Sequence, residues 1–180
     1  IGLAVFSVVN RRDPAQPRVL PWLLVVLLGV QALLGMWTVT LLLKPLIVTL
    51  HLLGGLLTLA LLWWLALPPA RRDLKPAERP LRQFAIAGIA VLAVQIALGG
   101  WTSTNYAAAA CPDFPTCQAS YWPPMDFRNA FILWRGLGID YEGGVLDAPA
   151  RVAIHYAHRL GAYVTALVLV LVVVGALRRG

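Results

Sequence analysis

The stretch Gln31-Ala-Leu-Leu-Gly-Met-Trp37-Thr38 recurs sixty-four residues later as Gln95-Ile-Ala-Leu-Gly-Gly-Trp101-Thr102. A second echo follows each copy, because His51-Leu-Leu-Gly54 is repeated as His158-Arg-Leu-Gly161. All four segments lie at the ends of long apolar runs. Ionisable groups inside a membrane are costly, so a repeated histidine there is a candidate functional residue. The repeat predicts a duplicated membrane protein that holds something between its helices.

The composition places the chain in lipid. Hydrophobic residues make up 59% of it, charged residues only 13%, and the mean hydropathy is +0.74, whereas a soluble domain has about a quarter charged residues. Four apolar runs reach the roughly 20 residues that a helix needs to cross a bilayer: Val19 to Leu43, Leu46 to Leu67, Phe84 to Thr104 and Val152 to Leu177. A shorter run, Ile1 to Val9, is typical of the tail of a further helix. The predicted fold is all-α: a polytopic transmembrane helical bundle with two pseudo-repeated halves, four full spans and the tail of a fifth.

The positive charge indicates membrane topology. Although the net charge is +7, ten of the fifteen Lys and Arg fall in three clusters beside apolar runs. The clusters are Arg11, Arg12 and Arg18; Arg71, Arg72, Lys75, Arg79 and Arg82; and Arg178 and Arg179. By the positive-inside rule these segments are cytoplasmic, so the charge does not indicate a nucleic-acid partner. The turn at Lys44 and the long loop at 105–150 then lie outside, and a loop of that length is expected to be functional or locally folded.

This alternation divides the chain into three parts. Residues 1–70 form part of an N-terminal half, residues 71–83 a cytoplasmic basic linker, and residues 84–180 part of a C-terminal half with its extracytoplasmic loop at 105–150. The chain starts without an initiator Met and stops just as a helix reaches the cytoplasm. We therefore expect it to be the middle of a larger protein.

The long loop contains the only two cysteines, Cys111 and Cys117. On the outer side of a membrane, two nearby thiols usually form a disulfide. The alternative of a metal clip would need further Cys or His ligands, and the loop has none. We predict a disulfide, either structural or redox-active.

Three histidines are candidate ligands. His51 and His158 lie at similar depths below the outer ends of their runs, each followed by Leu-Gly after one intervening residue. Imidazole is a common axial ligand of haem iron, and small residues beside it leave room for a flat macrocycle. The pattern predicts a tetrapyrrole site in each half, with an interhelical hydrogen bond as the plain alternative. His155 shares a helical face with His158, and we prefer His158 because it alone aligns with His51.

Other residues near these positions have two interpretations each. Arg159 pairs with a haem propionate near the outer surface, or it extends toward the lipid headgroups. Gln31 and Gln95 fit interhelical hydrogen bonds better than cofactor contacts. Trp37 and Trp101 fit the aromatic belt of the membrane interface, with packing on a haem edge as the alternative.

Three elements that occur in order together resemble the haem A synthase family. They are Gln95-Ile-Ala-Leu-Gly-Gly-Trp-Thr-Ser-Thr-Asn105, the loop with Cys111 and Cys117, and Ile154-His-Tyr-Ala-His158-Arg-Leu-Gly-Ala162. The resemblance runs through essentially the whole chain. It implies eight transmembrane helices in two four-helix halves, and oxidation of the C8 methyl group of haem O to the formyl group of haem A. This chain would carry the end of helix two through helix six.

The resemblance also implies roles for individual residues. His51 and His158 match axial histidines of haem iron on helices four and six, and Cys111 and Cys117 match a cysteine pair of the second half. The partner histidines of helices two and eight and the catalytic carboxylate of the family lie outside this chain, so its catalytic residues stay unknown. The second site would hold haem b, and the first would take haem O as substrate.

The implied setting is the bacterial inner membrane, with lipid around the spans and haem O synthase and cytochrome oxidase assembly factors as natural neighbours. One rival is a b-type cytochrome subunit that only carries electrons, which leaves the cysteine loop unexplained. Another is a non-haem transporter or scaffold, although these spans lack the broken helices and charged midplane sites typical of transporters.

Overall fold

The computed structural model describes residues 2–9, 19–67 and 79–178, and within these it contains helices and no strand. The helices are α1 (Gly2–Val9), α2 (Leu20–Thr40), α3 (Pro45–Ala66), α4 (Arg79–Thr104), α5 (Phe127–Ala130) and α6 (Ala148–Leu177). Four of them, α2, α3, α4 and α6, are long and apolar enough to cross a membrane. The prediction of an all-α, multi-pass membrane bundle is confirmed. The basic segments at 10–18 and 71–78 and the end of the chain at 179–180 lie outside the described residues.

Helix α2 ends three residues before its apolar run does. Leu42 and Leu43 have φ values of 52° and 57°, so the chain turns while it is still apolar. A residue distant in sequence stabilises the turn, because the backbone N–H of Tyr141 donates to the carbonyl of Leu42 over 3.1 Å. Hydropathy alone does not mark this helix end, since the partner that stabilises the turn lies far away in sequence.

Helices α4 and α6 begin earlier than their apolar runs. Helix α4 starts at Arg79 rather than Phe84, because an apolar run marks only the part of a helix that faces lipid. Helix α6 starts at Ala148 rather than Val152, where the Asp147 side chain accepts a hydrogen bond from the Ala150 N–H over 3.3 Å. This N-cap satisfies a backbone donor that the helix leaves free. The long loop therefore ends at 147, and residues 79–83 of the predicted linker are helical.

The four spans form two antiparallel pairs. Helices α2 and α3, here called the first half, pack against each other, and so do α4 and α6, the second half. The halves meet where α3 contacts α4. A Cβ on Gly100 would lie 3.0 Å from Leu52 and 3.3 Å from Thr49, so glycine lets these two helices approach closely.

The loop at 105–147, called the outer loop below, covers one end of both halves. A hydrophobic cluster joins this loop to the ends of α4 and α6. It consists of Trp101, Ala107, Ala130, Leu146, Ala150, Ala153 and Ile154. Lys44, in the turn between α2 and α3, is only 2% exposed. Its ammonium donates to the carbonyl of Gly136 and lies 3.5 Å from the ring centroid of Trp134. The outer loop thus ties the two halves together at the end where the histidines lie.

Candidate functional site

In the first half, the imidazole of His51 on α3 lies against Gly35 on α2. A Cβ at Gly35 would come within 3.3 Å of Cε1 and 3.7 Å of Nε2 of His51. Carbon atoms rarely approach closer than about 3.5 Å, so the absence of a side chain at Gly35 is what leaves space for the ring.

The second half repeats this arrangement with His158 on α6 and Gly99 on α4. A Cβ at Gly99 would lie 3.2 Å from Cε1 and 3.7 Å from Nε2 of His158. The distances nearly equal those of the first half, so the sequence repeat is also a repeat of ring placement. We call each histidine with its facing glycine a cradle.

One helical turn from each cradle, a glutamine on one helix packs against a second glycine on the other helix. The amide of Gln31 occupies the space that a Cβ on Gly54 would need, and the amide of Gln95 does the same at Gly161. The atom that faces the glycine differs, since it is Nε2 in Gln31 and Oε1 in Gln95. Gln95 makes the predicted interhelical hydrogen bond, to His158, whereas Nε2 of Gln31 is buried without a partner.

A further repeated residue was missed by the sequence reasoning. Thr58 donates to the carbonyl of Gly54 over 2.8 Å, and Thr165 donates to the carbonyl of Gly161 over 2.8 Å. Each threonine stands seven residues after its histidine. A longer comparison of the two histidine segments would have revealed it.

The halves differ in how the histidine ring is held. In the second half, Nε2 of Gln95 lies 3.0 Å from Nδ1 of His158 and donates to the His158 carbonyl over 3.0 Å. In the first half, Nδ1 of His51 and Nε2 of Gln31 are both buried without a hydrogen-bond partner. The ring of His158 is fixed by its neighbour, whereas the ring of His51 is not.

Buried polar atoms without partners concentrate at these sites. In the part of the chain that the structure describes, such side-chain atoms are Gln31 Nε2, Thr49 Oγ1, His51 Nδ1 and Gln95 Oε1. Thr49 stands two residues before His51. An unsatisfied buried group costs about 1–3 kcal/mol, and three of these four atoms belong to the repeated glutamines and the repeated histidine.

His155 is committed to the outer loop. Its Nδ1 donates to the carbonyl of Ala107 over 3.0 Å, and its Nε2 lies 3.3 Å from a guanidinium nitrogen of Arg159. Both ring nitrogens therefore have partners, in contrast to His51.

Arg159 also holds the outer loop. Its guanidinium donates to the carbonyls of Thr116, Asp113 and Cys111 over 2.6, 3.1 and 3.3 Å. It lies 5.6 Å from the ring centroid of Phe114. The side chain reaches away from the lipid-facing surface and fastens the cysteine loop to α6, one residue after His158. Its predicted contact with a haem propionate stays a prediction.

The predicted disulfide is confirmed. Cys111 and Cys117 are bonded to each other with their Cα atoms 4.6 Å apart. Both are buried and pack against Val152 and Tyr156 of α6. Because the two sulfurs bind each other, neither is a thiolate that a metal clip would need.

The small ring closed by the disulfide is organised by Asp113. Its carboxylate accepts hydrogen bonds from the Thr116 hydroxyl and from the backbone N–H groups of Gln118 (2.6 Å) and Ala119 (3.1 Å). These bonds, with that from Thr116 first, lower the pKa of Asp113 below its ordinary value of 3.8. They also hold Gln118 and Ala119 in the left-handed region, with φ of 54° and 59°.

The two repeated tryptophans have different surroundings. Trp101 is only 6% exposed, and its Nε1 donates to the carbonyl of Ala130 over 2.9 Å. Trp37 is 40% exposed and lies at the apolar surface. The assignment of both to an interfacial belt was wrong for Trp101, because the outer loop buries it.

An apolar trough of about 340 Å³ lies between α4 and α6, on the side of His158 that faces away from the outer loop. It is lined by Ala90, Val91, Val94, Gln95, Leu98, Gly161, Val164 and Thr165. Gln95 and Gly161 connect this trough to the second half's site, whereas His158 and Gly99 do not line it. The imidazole nitrogens, which can bind iron, the glycine cradles and the unpartnered buried atoms fit a haem. Its iron would be held by His51 in one half and by His158 in the other.

The comparisons with known proteins agree with this interpretation. The family described as COX15-CtaA, cytochrome oxidase assembly protein, matches residues 1–180. A relative from Shewanella oneidensis, described as a haem A synthase, is 43% identical over 176 residues, which are 95% of this chain and 53% of the relative. A haem A synthase from Methylobacterium radiotolerans is 33% identical over 132 residues, which are 73% of this chain and 34% of that protein. No solved structure matches the chain.

The chain thus spans about half the length of the first of these relatives and about a third of the second. The match to the family nevertheless covers every residue from 1 to 180. The resemblance found in the sequence is confirmed: the chain belongs to the COX15-CtaA family of cytochrome oxidase assembly proteins.

Proposed function

We propose that the protein to which this chain belongs is a haem A synthase, which oxidises the C8 methyl group of haem O to the formyl group of haem A for cytochrome oxidase. The observation that carries the proposal is the repeated cradle, with one imidazole seated on one glycine in each half. Two equivalent sites suit a reaction whose substrate and cofactor are both haems. The names of the two relatives support the same activity.

The two sites have different occupants in this proposal. His158 holds a resident haem b, and His51 receives haem O as the substrate. The hydrogen bonds of Gln95 to His158 support this division, because a permanent ligand benefits from a fixed ring. The unpartnered Nδ1 of His51 suits a site that must bind and release its occupant.

The chain's own residues supply placement and shielding. Bound haem supplies the redox chemistry, which the protein orients and tunes. Gly35 and Gly99 set the plane of each imidazole, and the apolar spans keep water from the reacting methyl group. None of the eight carboxylates lies within the four spans, so the described spans themselves contain no acidic side chain.

His158 rather than His155 is the ligand in this proposal. Both nitrogens of His155 have partners in or beside the outer loop, and only His158 has a glycine cradle like that of His51. Arg159 contributes by holding the outer loop above the second site, and a propionate of haem b would lie near its guanidinium.

The proposed setting is the bacterial inner membrane, with the outer loop on the extracytoplasmic side. The proposed protein partners are haem O synthase, which would deliver the substrate, and assembly factors of cytochrome oxidase, which would receive the product. The large exposed apolar surface of α2 and α3 is available to lipid and to such membrane partners.

The test is a pyridine haemochrome analysis and absorption spectrum of the purified full-length protein, after expression with haem O. We expect bound haem b and formation of haem A. His158→Ala should lose haem b, His51→Ala should keep haem b but form no haem A, and His155→Gln should keep both. Haem-free protein would overturn the proposal, and haem b without conversion of haem O would favour an electron-carrying b-type cytochrome.

A further inference from the structure

We infer that Gln95 and Gln31 are positioning residues for the histidine ligands, acting through Nδ1 of each ring, and that only Gln95 lies in contact with its ring before the site is filled. The inference rests on the proposed function, since it concerns histidines that hold haem iron. Its starting point is the contact of 3.0 Å between Gln95 Nε2 and His158 Nδ1.

The chemistry of an iron-bound imidazole defines what Gln95 must do. When Nε2 of a neutral histidine binds iron, the proton resides on Nδ1, and that N–H is usually hydrogen-bonded to an acceptor. Gln95 has such an acceptor, because its Oε1 is buried beside Gly161 and has no partner. Rotation about the last side-chain torsion, which is a soft torsion in glutamine, exchanges Oε1 with Nε2 and presents the oxygen to Nδ1.

The first half shows that both orientations of this amide fit the fold. The atom packed over Gly54 is Nε2 in Gln31, whereas the atom packed over Gly161 is Oε1 in Gln95. The two glutamines thus point their amides in opposite senses over equivalent glycines. The unpartnered Nδ1 of His51 and the unpartnered Nε2 of Gln31 show that the first pair is not yet engaged.

A hydrogen bond from Nδ1–H of the histidine to the glutamine oxygen has a predictable effect on the bound haem. An acceptor at Nδ1–H raises the basicity of the ring and so stabilises ferric iron, which lowers the reduction potential. Loss of such a partner typically weakens metal binding by about 10- to 100-fold. Because the amide of Gln95 already lies beside Nδ1 of His158, whereas Nδ1 of His51 and Nε2 of Gln31 have no partner, substitution of Gln95 should affect its haem more than substitution of Gln31 affects the other site.

The experiment measures haem content and reduction potential of the full-length protein for Gln95→Leu, Gln95→Glu and Gln31→Leu. Leucine removes the acceptor, so we expect a higher potential of the second-half haem and about 10- to 100-fold weaker retention. Glutamate is a stronger acceptor, so we expect a lower potential with haem retained. Gln31→Leu should leave that potential unchanged.

The control is Gln83→Leu, the same substitution on the same helix at an exposed residue, which should leave haem content and potential unchanged. A merely structural role of Gln95 would not shift the potential in opposite directions in the two variants. Equal potentials in wild type, Gln95→Leu and Gln95→Glu, or shifts of the same sign, would overturn the inference. Absence of haem from the wild type would instead overturn the proposed function.

Discussion

The first and second halves contain the same cradle but differ in the hydrogen bonds around it. In both, Cε1 of the imidazole lies 3.2–3.3 Å from the position that a Cβ would take on the facing glycine. The second half then adds the hydrogen bonds of Gln95 to His158 and the clamp of Arg159 on the cysteine loop. The first half has neither, and its histidine nitrogen stays without a partner.

The difference shows how two copies of one scaffold hold the same side chain in different ways. Gene duplication preserves the backbone positions that seat a ring, since a glycine and a histidine suffice for that. The surrounding hydrogen bonds decide whether the ring is fixed or free, and here the repeated glutamine makes them in the second half only. A fixed ring suits a resident cofactor, and a free ring suits a substrate that must leave.

A larger side chain in place of the glycine of either cradle should have the largest effect on haem binding. A Cβ at Gly99 or Gly35 already crowds the facing imidazole, so Gly99→Val and Gly35→Val should each displace one ring. Overpacking costs about 1–3 kcal/mol, which corresponds to roughly 5- to 150-fold in haem affinity. Haem titration of each variant measures the loss. Gly29→Val is the control, because a Cβ there meets nothing within 4 Å, and equal haem affinity in all three variants would contradict the cradle.

Breaking the disulfide should loosen the cysteine ring of the outer loop. The ring between Cys111 and Cys117 is short, with a sequence separation of 6, for which loop-closure entropy predicts about 2 kcal/mol. Cys111→Ser combined with Cys117→Ser should therefore expose the outer loop to protease, and reduction of the wild type should do the same. Peptide mapping measures where cleavage occurs. Cleavage at the turn between α2 and α3 at the same rate would contradict the assignment of this stability to the outer loop.

The two tryptophans should respond differently to the same substitution. Trp101→Phe removes the hydrogen bond to the Ala130 carbonyl and should destabilise the outer loop by about 1 kcal/mol. Trp37→Phe removes no hydrogen bond seen in the structure and should change stability little. Thermal denaturation combined with loop proteolysis compares the two variants. If Trp37→Phe were as destabilising as Trp101→Phe, burial beneath the outer loop would not explain the difference.

The smallest effect concerns pH and the cysteine ring. The folded-state pKa of Asp113 is lowered, chiefly by the Thr116 hydroxyl, so its stabilising contribution is present above the unfolded pKa. It is lost as the pH falls through the folded pKa, below the ordinary 3.8. Hydrogen exchange of the Gln118 and Ala119 amides against pH measures this loss. Asp113→Asn should abolish the pH dependence of the protection of these two amides, measured relative to the exchange rate of an unfolded chain. An unchanged protection profile would show that the carboxylate does not protect them.

Much of the fold could be predicted because lipid imposes simple rules. Each span must satisfy its own backbone hydrogen bonds and present apolar side chains, so the four apolar runs identified the four helices. The helix starts at Arg79 and Ala148 were missed, since both helices extend beyond their apolar runs and α6 is capped by Asp147 outside its run. The outer loop was predicted only as a locally folded or functional segment.

The candidate site was predicted in part. The repeat identified His51 and His158, and nearby thiols on the outer side identified the disulfide. The contacts of Arg159, His155 and Trp101 with the outer loop were not predictable, because each joins residues that are more than 25 positions apart. Such contacts leave no periodic signal along the chain.

The sequence by itself determined the membrane class, the number of spans, the duplicated histidine and glutamine pairs and the cysteine bond. These follow from composition, period and spacing, which act locally. Only the tertiary structure decided that glycine cradles face both rings, that Gln95 reaches His158 while Gln31 leaves His51 free, and that Arg159 holds the cysteine loop. Those features depend on how helices meet in space, and the physical reason is that a hydrogen bond is made or lost over a distance of less than 1 Å.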